Sequence, residues 1–235
     1  LFERLGLPTA PWWLAESTDA IRQTLNEAQG QAFPGVRGFV QKLRRGGYDG
    51  KGVKVIGEWT EGADLLEGPS VVESLIDIEK ELAIIVARNA RGEVRCFPVV
   101  EMVFDPVLNL VDFLFAPARI SADDIARAEH YAQTLAEGLG LEGILAVELF
   151  LTQNGDLLVN EMAPRPHNSG HHTIEGNVTS QFEQHLRAVL DLPLGDPGVL
   201  TPAVTVNLVG APGPSGEPVY RGMRELLAIE GAHLH

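Results

Sequence analysis

The feature that most constrains this fold is a pair of apolar, strand-like segments joined by Asn154-Gly155, "ILAVELFLTQ-NG-DLLVNEMA". Asn-Gly between two such runs is the strongest short-range signal for a β-hairpin with a two-residue turn. We therefore predict antiparallel strands in which Gln153 faces Asp156. Antiparallel pairing of this kind, mixed with the helices predicted below, indicates an α+β fold.

The same hairpin brings two carboxylates together. Counted outward from the turn, Glu148 lies directly opposite Glu161, with their Cβ atoms about 5 Å apart. Opposed carboxylates repel, and the pKa of one rises unless a cation lies between them. Two carboxylates completed by phosphate oxygens are the usual ligands of Mg²⁺ at a nucleotide. We predict this metal site; two weakly repelling glutamates on a solvated face, or a register slip of one residue, are the alternatives.

The stretch "VNEMAPRPHNSGHHTIEG" combines three histidines with an arginine between two prolines. Pro164 and Pro166 exclude a helix, so we predict an irregular loop of the kind that carries binding groups. A zinc site formed by His167, His171 and His172 is a competing interpretation. Adjacent histidines project differently, however, and no H-E-x-x-H spacing is present. A plain loop whose histidines bond to the backbone is the third possibility.

The segment "KLRRGGYDGKG" joins four glycines between residues 46 and 52 to basic residues at 42, 44, 45 and 51. Glycines let backbone N–H groups approach phosphates, and the cations neutralise them. Neither the Walker A spacing nor G-x-G-x-x-G is present. A mobile basic surface loop has the same composition. Combined with the predicted Mg²⁺ carboxylates, the segment indicates a nucleoside triphosphate.

Composition limits the classes of partner. The formal net charge of −14 disfavours nucleic acid, because binding to phosphates needs a basic surface. The single Cys96 forms no internal disulfide and suits a reducing cytoplasm. The sequence shows neither a signal peptide nor about 18 consecutive apolar residues. We therefore expect a cytoplasmic protein with no nucleic-acid or membrane partner.

Periodic segments predict the remaining elements. Helices are predicted at 17–30, at 121–140 and from about residue 178. Strands are predicted at 38–43, 53–57, 71–76 and 203–210, with a further hairpin across 81–102. The second helix has an apolar stripe formed by Ile125, Ala128, Ala132, Leu135 and Leu139. The third helix carries Phe182, Leu186, Val189 and Leu190.

Four segments, taken in order, resemble one known family. They are "RRGGYDGKG", "VVESLIDIEKEL", "AVELF" and "VNEMAPRPHNSGHHTIEG". They are similar to segments of 5-(carboxyamino)imidazole ribonucleotide synthase, the ATPase subunit of phosphoribosylaminoimidazole carboxylase. The resemblance implies an ATP-grasp fold, in which two α+β subdomains clasp ATP. It implies a lid subdomain at 1–76, a large subdomain with the carboxylate hairpin at 77–198, and the start of a small C-terminal β domain at 199–235.

The resemblance also implies a nucleotide site. Lys42 would contact the ATP phosphates beneath a mobile loop at 47–53, residues 73–76 would bind adenine, and Glu81 would accept from the ribose hydroxyls. The implied nucleotide-binding residues are Lys42, Gly47, Tyr48, Asp49, Gly50, Lys51, Gly52, Val53, Glu73, Ser74, Leu75, Ile76, Glu81, Asn160 and Glu161. The implied Mg²⁺ ligands are Glu148 and Glu161.

The implied reaction is that of a ligase. Bicarbonate attacks the γ-phosphate of ATP to give carboxyphosphate, which carboxylates the exocyclic amine of 5-aminoimidazole ribonucleotide in purine biosynthesis. The implied catalytic residues are Tyr48, Asp49, Lys51, Arg165, His167 and Asn168. A homodimer is implied as well. Another ATP-grasp carboxylate–amine ligase and a non-catalytic ATP-binding domain are the alternatives.

The sequence departs from the family pattern at three places. Family members carry a further N-terminal nucleotide-fold domain, and they continue into a C-terminal segment that grips the substrate phosphate. Neither has a counterpart in this sequence, so we expect a fragment that binds ATP without full turnover. Phe104 stands where a histidine near the nucleotide is common, which puts that contact in question.

Overall fold

The computed structural model describes residues 1–28, 32–34, 36, 38–47, 52–105, 110–208, 216–217 and 219–235. These residues form two β-sheets with helices packed against them. The named strands pair antiparallel, which confirms the predicted α+β class. Among the described residues, no helix has both the length and the apolar character needed to cross a membrane.

The first sheet is small and has four strands. Its elements are β1 (Trp12–Ala15), α1 (Thr18–Glu27), β2 (Phe39–Leu43), β3 (Val53–Ile56) and β4 (Ser70–Ser74). The strands lie in the order β1-β4-β2-β3. Helix α1 begins where the Ser17 side chain accepts a hydrogen bond from the Ala20 N–H. It buries Ile21 and Leu25 in one cluster with Phe39, so a helix covers one face of this sheet.

The second sheet is larger and has seven strands. They are β5 (Ile78–Arg88), β6 (Val94–Cys96), β7 (Val100–Asp105), β8 (Leu110–Ala116), β9 (Gly143–Thr152), β10 (Leu157–Ala163) and β11 (Ala203–Val206). Their order is β10-β9-β5-β7-β8-β11, and β6 also pairs with β5. The helices of this region are α2 (Ala122–Gly138), α3 (Thr173–Gly176), α4 (Gln181–Val189) and α5 (Met223–Leu227).

Strands β5 and β9 form the centre of the larger core. Every residue of β5 from Leu82 to Ala87 is buried, because helices cover both faces of the sheet. Helix α2 packs Ala132 and Leu135 on one face, and α4 packs Ala188 on the other. A strand covered on both faces is continuously apolar, which explains the run "LAIIVA".

The hairpin between β9 and β10 differs from the prediction at its turn. The Thr152 N–H donates to the Asp156 carbonyl at 2.9 Å, so the loop contains three residues instead of two. Gly155 has a φ of 82°, the left-handed conformation that closes a three-residue hairpin loop. The predicted pairing of Gln153 with Asp156 is therefore wrong, and the pairs nearest the turn are displaced by one residue.

A second irregularity cancels the first. Val159 pairs with Leu149, whereas Glu161 pairs with Glu148, so Asn160 is an extra residue in β10. This β-bulge restores the predicted register beyond it. The expectation that Glu148 and Glu161 face each other is therefore confirmed, although two compensating one-residue shifts produce it.

The predicted helices form, with changes at their ends. Helix α2 begins after its cap Ser121 and ends at Gly138, which leaves Leu139 42% exposed outside the core stripe. The helix expected from residue 178 begins at Gln181, because the Ser180 side chain caps it. Its large apolar residues do not face the sheet. Phe182, Leu186, Val189 and Leu190 are exposed, while Gln181, Gln184 and Ala188 are buried.

The stretch expected to be an irregular loop is partly regular. Strand β10 extends to Ala163, a 3₁₀ turn covers Asn168–Gly170, and α3 begins after two further residues. The two prolines still exclude a helix at 164–166, as predicted. The late strand expected at 203–210 forms only at Ala203–Val206, and residues 209–210 lie outside the described chain.

Candidate active site

A cleft of about 2320 Å³ lies between the two sheets. The predicted site residues that the structure describes all line it: Lys42, Gly47, Gly52, Val53, Glu73, Ser74, Leu75, Ile76, Glu81, Glu148, Asn160, Glu161, Arg165, His167 and Asn168. The predicted residues Tyr48, Asp49, Gly50 and Lys51 fall outside the described residues. The fold therefore gathers into one cavity residues that lie far apart in the sequence.

Lys42 connects the two walls of this cleft. Its Nζ donates to Asn160 Oδ1 on β10 at 2.8 Å and forms an ion pair with Glu73 Oε2 on β4 at 2.8 Å. Side chains alternate along a strand, so Lys42 faces the cleft while Gln41 is fully buried on the α1 side. A cation held between two sheets in this way can make charge-assisted hydrogen bonds to phosphate oxygens.

The two opposed carboxylates face the same cleft. Glu161 lies on the edge strand β10 and is accessible from the cavity, yet partial desolvation and then the charge of Glu148 raise its pKa. Lys42 and His167 oppose that rise. A cation between the carboxylates would relieve their repulsion, and oxygen donors suit Mg²⁺, so the pair fits this metal.

Further metal ligands would have to come from bound molecules. Among the described residues, no group of three or more histidine, cysteine, aspartate or glutamate side chains is placed to hold a metal ion. Mg²⁺ commonly uses one or two protein carboxylates and completes its shell with water and substrate phosphates. A site with two carboxylates therefore indicates a metal that arrives with a phosphate ligand.

Glu81 lies on β5 beside this pair. It pairs with Phe150 of β9, so Glu148, two residues earlier on β9, is its diagonal neighbour on the same face. Burial, and then the charge of Glu148, raises the pKa of Glu81 to about 7. Three carboxyl groups thus share one face of the larger sheet, where a cation or a hydroxyl donor would meet acceptor oxygens.

The segment after β4 forms the edge of the cleft between the sheets. The Ser74 N–H donates to the Pro11 carbonyl at 2.8 Å, and the Leu75 N–H donates to the Gly38 carbonyl at 3.3 Å. Leu75 and Ile76 line the cavity together with Phe150. Apolar side chains beside backbone polar groups suit a planar heteroaromatic ring.

The loop after β10 directs His167 towards Glu148. The Ser169 N–H donates to His167 Nδ1 at 3.3 Å, and Ser169 Oγ lies 2.9 Å from the same atom; an Nδ1 that accepts leaves Nε2 as the ring donor. His167 Nε2 lies 3.3 Å from Glu148 Oε1 and donates to it. A carboxylate that binds metal is usually oriented by such a neighbour, and His167 is placed to do this.

Arg165 and Asn168 extend from the same loop. Arg165 is exposed to the cleft, and its Nη1 donates to the Pro166 carbonyl at 3.0 Å. Asn168 Nδ2 donates to Asn207 Oδ1 at 3.3 Å, and Asn207 Nδ2 donates to the Val111 carbonyl at 2.6 Å. An exposed guanidinium fork suits a planar anion, and Asn168 is held beside it by β8 and the residue after β11.

Within the described chain, the other two histidines do not converge with His167 on one point, and the buried His172 Nδ1 has no hydrogen-bond partner. His171 Nδ1 lies 3.0 Å from Gln181 Nε2, and the His171 ring stacks on Phe182 at 5.8 Å. Burial lowers the pKa of His171 and, more strongly, lowers the pKa of His172 to about 4. The geometry of these rings does not favour the zinc interpretation.

Two polar residues that hold site residues in place were not predicted from the sequence. Gln181 bonds to the backbone of His167, and Asn207 bonds to Asn168. The only local signal for Gln181 is a polar residue in the first turn of a helix, which is an ordinary surface pattern. Phe104 lines the cleft and packs beside Met102 and Leu114. It therefore offers an apolar surface at the position where the family pattern commonly has a histidine.

Comparison with known proteins identifies the class. The ATP-grasp domain family matches residues 1–182, and the chain belongs to this family. Within it, the chain is similar to N5-carboxyaminoimidazole ribonucleotide synthases. The Bacillus subtilis (strain 168) protein of that name is 43% identical over 209 residues, which cover 87% of this chain and 53% of the relative.

Solved structures agree with this assignment. N5-carboxyaminoimidazole ribonucleotide synthetase from Thermotoga maritima matches with a TM-score of 0.81 at 43% identity, over 98% of this chain and 57% of that one. The Aspergillus clavatus synthase, in complex with ADP and 5-aminoimidazole ribonucleotide, matches with a TM-score of 0.73 at 25% identity, over 90% and 55%. The chain spans about half the length of these relatives. The predicted ATP-grasp fold and family resemblance are confirmed.

Proposed function

We propose that this chain is the ATP-binding core of a ligase that carboxylates 5-aminoimidazole ribonucleotide in purine biosynthesis. ATP and bicarbonate are the co-substrates, and 5-(carboxyamino)imidazole ribonucleotide, ADP and phosphate are the products. The observation that carries the proposal is the cleft in which Lys42 faces the opposed pair Glu148 and Glu161. The choice of substrate is supported by the names of the relatives and by the relative solved with ADP and the ribonucleotide.

In the proposed complex, ATP lies between the two sheets. Its phosphates replace Asn160 and Glu73 as partners of Lys42, which is already held at the cleft. The base lies against Leu75 and Ile76, and the ionised Glu81 accepts hydrogen bonds from the ribose hydroxyls. A site that presents a lysine and apolar side chains to one ligand matches the mixed chemistry of a nucleotide.

Glu148 and Glu161 are the residues that would hold Mg²⁺. When bound, the metal neutralises charge on the phosphate oxygens. Desolvation and then the charge of Glu148 raise the pKa of Glu161, and a cation between the carboxylates would remove the second of these causes. His167, bonded to Glu148, keeps that carboxylate in one orientation.

The acceptor side of the cleft is assigned to the loop after β10. Arg165 binds the planar anion, bicarbonate or the carboxyphosphate formed from it, with two oxygens in its fork. Asn168 lies beside it, and Tyr48, Asp49 and Lys51 are assigned to the same pocket on the family resemblance alone. Carboxyphosphate hydrolyses readily, so these residues must act in a cleft that excludes water.

We also propose how the chain is organised. Residues 1–76 form the lid subdomain around the small sheet, 77–198 form the large subdomain, and 199–235 begin a C-terminal β domain that joins the large sheet through β11. A homodimer is proposed, supported by the exposed apolar residues of α4. The cytoplasm is proposed on the single Cys96.

The test uses the complete protein with Mg-ATP and bicarbonate and follows ADP release with and without 5-aminoimidazole ribonucleotide. The proposal expects a strong rise on adding the ribonucleotide, which disappears when bicarbonate is removed. ADP release that ignores the ribonucleotide would assign the site to another acceptor amine. No ADP release at all would leave a non-catalytic ATP-binding domain.

A further inference from the structure

The loop that carries Arg165, His167 and Asn168 is held by one buried side chain. Gln181, the first residue of α4, has no exposed surface. Its Oε1 accepts a hydrogen bond from the His167 N–H at 2.9 Å, and its Nε2 donates to the His167 carbonyl at 2.8 Å. One side-chain amide therefore bonds both backbone groups of His167: it is the partner of the His167 N–H, and it shares the His167 carbonyl with the Gly170 N–H, which donates to it at 3.0 Å.

The surroundings of Gln181 restrict it to this arrangement. Its N–H donates to Thr173 Oγ1 at 2.9 Å, and Thr173 Oγ1 donates to the Gly170 carbonyl at 2.5 Å. A Cβ atom on Gly170 would lie 2.6 Å from Gln181 Oε1 and 2.3 Å from Ile85 Cδ1. The loop therefore packs directly on Gln181 and on β5, and only glycine at 170 permits this approach.

The contacts continue from Gln181 to the carboxylates of the cleft. The His167 backbone is fixed by Gln181, the His167 Nδ1 atom accepts from the Ser169 N–H, and Nε2 points at Glu148 Oε1. Gln181 itself does not line the cleft. Among the described residues that line the cleft, its hydrogen-bonding contacts are those with His167 and with His171, whose Nδ1 lies 3.0 Å from Gln181 Nε2.

We propose that Gln181 is a positioning residue of the proposed ligase reaction, which holds the His167 imidazole towards Glu148 without touching substrate. This inference rests on the proposed function. Misplacement of a catalytic group by about 1 Å can cost on the order of 10²-fold in rate. Loss of the two hydrogen bonds to the His167 backbone would leave the His167 N–H without its Gln181 partner and the His167 carbonyl bonded to the Gly170 N–H alone, which would loosen the His167 backbone.

Helix α4 provides a matched control one turn further on. Gln184 is equally buried, and its amide makes the same two-point contact with another backbone residue. Its Nε2 donates to the Gly195 carbonyl at 2.9 Å, and its Oε1 accepts from the Gly195 N–H at 2.7 Å. Gly195 does not line the cleft, so Gln184 performs the same structural role away from the reaction.

The experiment compares Gln181→Met with Gln184→Met in the complete protein. Both substitutions keep side-chain length and remove the two hydrogen bonds to a backbone residue, and Gln181→Met also removes the contact with His171 Nδ1, so both should lower Tm. Only Gln181→Met should lower kcat for ribonucleotide-dependent ADP release, by about 10²-fold, with ATP affinity changed by less than about threefold. Equal losses of kcat in the two variants, or a retained kcat in folded Gln181→Met, would overturn the proposal.

A second measurement separates this inference from the proposed function. In ¹⁵N-histidine-labelled protein at fixed pH, the bonded Nε2–H of His167 should give a ring signal that disappears or shifts in Gln181→Met and persists in Gln184→Met. If the unaltered protein shows no ribonucleotide-dependent ADP release, the proposed function fails. The His167 ring signal still shows in that case whether Gln181 positions the His167 ring. An unchanged His167 signal in Gln181→Met would contradict it.

Discussion

The two walls of the cleft are built differently. On the large-sheet wall, Glu81 and Glu148 project from β5 and β9, whose other residues are mostly buried between α2 and α4. On the small-sheet wall, Lys42 projects from a sheet that a helix covers on one face only, and neighbouring Val55 is 56% exposed. The carboxylates therefore lie on a sheet that is packed on both faces, which we call the platform. Lys42 lies on a sheet that the described residues cover on one face only, which we call the thin wall.

This difference separates two tasks within one site. A group that must keep its geometry during chemistry benefits from rigid supporting elements, because small displacements are costly. A group that grips a ligand can lie on a layer that moves as the ligand enters and leaves. The contact between Lys42 and Asn160 is where the two walls meet across the cleft. Substitutions on the platform should affect rate, and substitutions on the thin wall should affect binding.

The largest effect is expected at the end of the platform, in Glu161→Gln. Loss of one of two opposed carboxylates should lower Mg²⁺-dependent ADP release by about 10³-fold, because charge stabilisation at the phosphates is the main contribution to such reactions. The fold should persist, since the repulsion from Glu148 is removed. ADP release and Tm are the measurements.

The control for that substitution is Glu142→Gln, an exposed glutamate just before β9. It should leave both ADP release and Tm unchanged. Near-normal turnover in Glu161→Gln would contradict the metal assignment. If Glu161→Gln unfolds while Glu142→Gln stays folded, Glu148 and Glu161 would be assigned to stabilising the fold instead.

A somewhat smaller effect is expected for Arg165→Ala, on the loop that continues the platform. The bicarbonate-dependent step should slow by about 10²-fold, because the planar anion loses the guanidinium group that binds two of its oxygens. ATP affinity should change by less than about threefold, since the residue lies away from the base and ribose. Arg187→Ala on α4 is the control. Arg187 does not line the cleft, and its ion pair is with Glu183 of the same helix. Equal losses of ATP affinity and rate in Arg165→Ala would indicate a structural role.

Elements of both walls were predicted from the sequence. Local patterns predicted β5, β9 and α2 on the platform and α1, β2, β3 and β4 on the thin wall, because apolar runs, turn residues and capping residues act over short distances. The opposition of Glu148 and Glu161 was predicted from a two-residue turn that does not form. The bulge at Asn160 corrected that error, and nothing in the local sequence distinguishes a bulge there from a regular strand.

Contacts between distant segments were not predictable in detail. Lys42 and Asn160 are 118 residues apart, and their hydrogen bond depends on how the two sheets pack. Helix α4 shows the same limit, because Gln181 and Gln184 are buried while its large apolar residues are exposed. Those glutamines are buried because each satisfies backbone groups of a neighbouring loop, which periodicity does not reveal.

Lys42→Met tests the thin wall and should affect binding more than rate. A charge-assisted hydrogen bond contributes about 1.5–3 kcal/mol, so ATP affinity should fall by roughly 10- to 100-fold. At saturating ATP the remaining turnover should fall less. Isothermal titration with ATP is the measurement. Lys54→Met is the matched control, because Lys54 lies on adjacent β3, opposite buried Gln41, and pairs with Asp64. A loss of turnover rate without a loss of ATP affinity would show that Lys42 acts in the reaction, as the platform residues do, and not in ATP binding.

The smallest effect concerns pH and the stability of the platform. The pKa of Glu81 is raised from 4.5 to about 7 by burial and by Glu148, so the folded protein retains a proton that the unfolded chain has lost between these values. Stability should therefore fall as pH rises from about 4.5 to 7, by about 1–2 kcal/mol after solvent screening. Glu81→Gln should flatten this decline and raise Tm at pH 8 by about 2–8 °C. Exposed Glu79→Gln, on the same strand, should keep the decline. Parallel Tm–pH curves for the unaltered protein and Glu81→Gln would show that the platform tolerates the ionised carboxylate without cost.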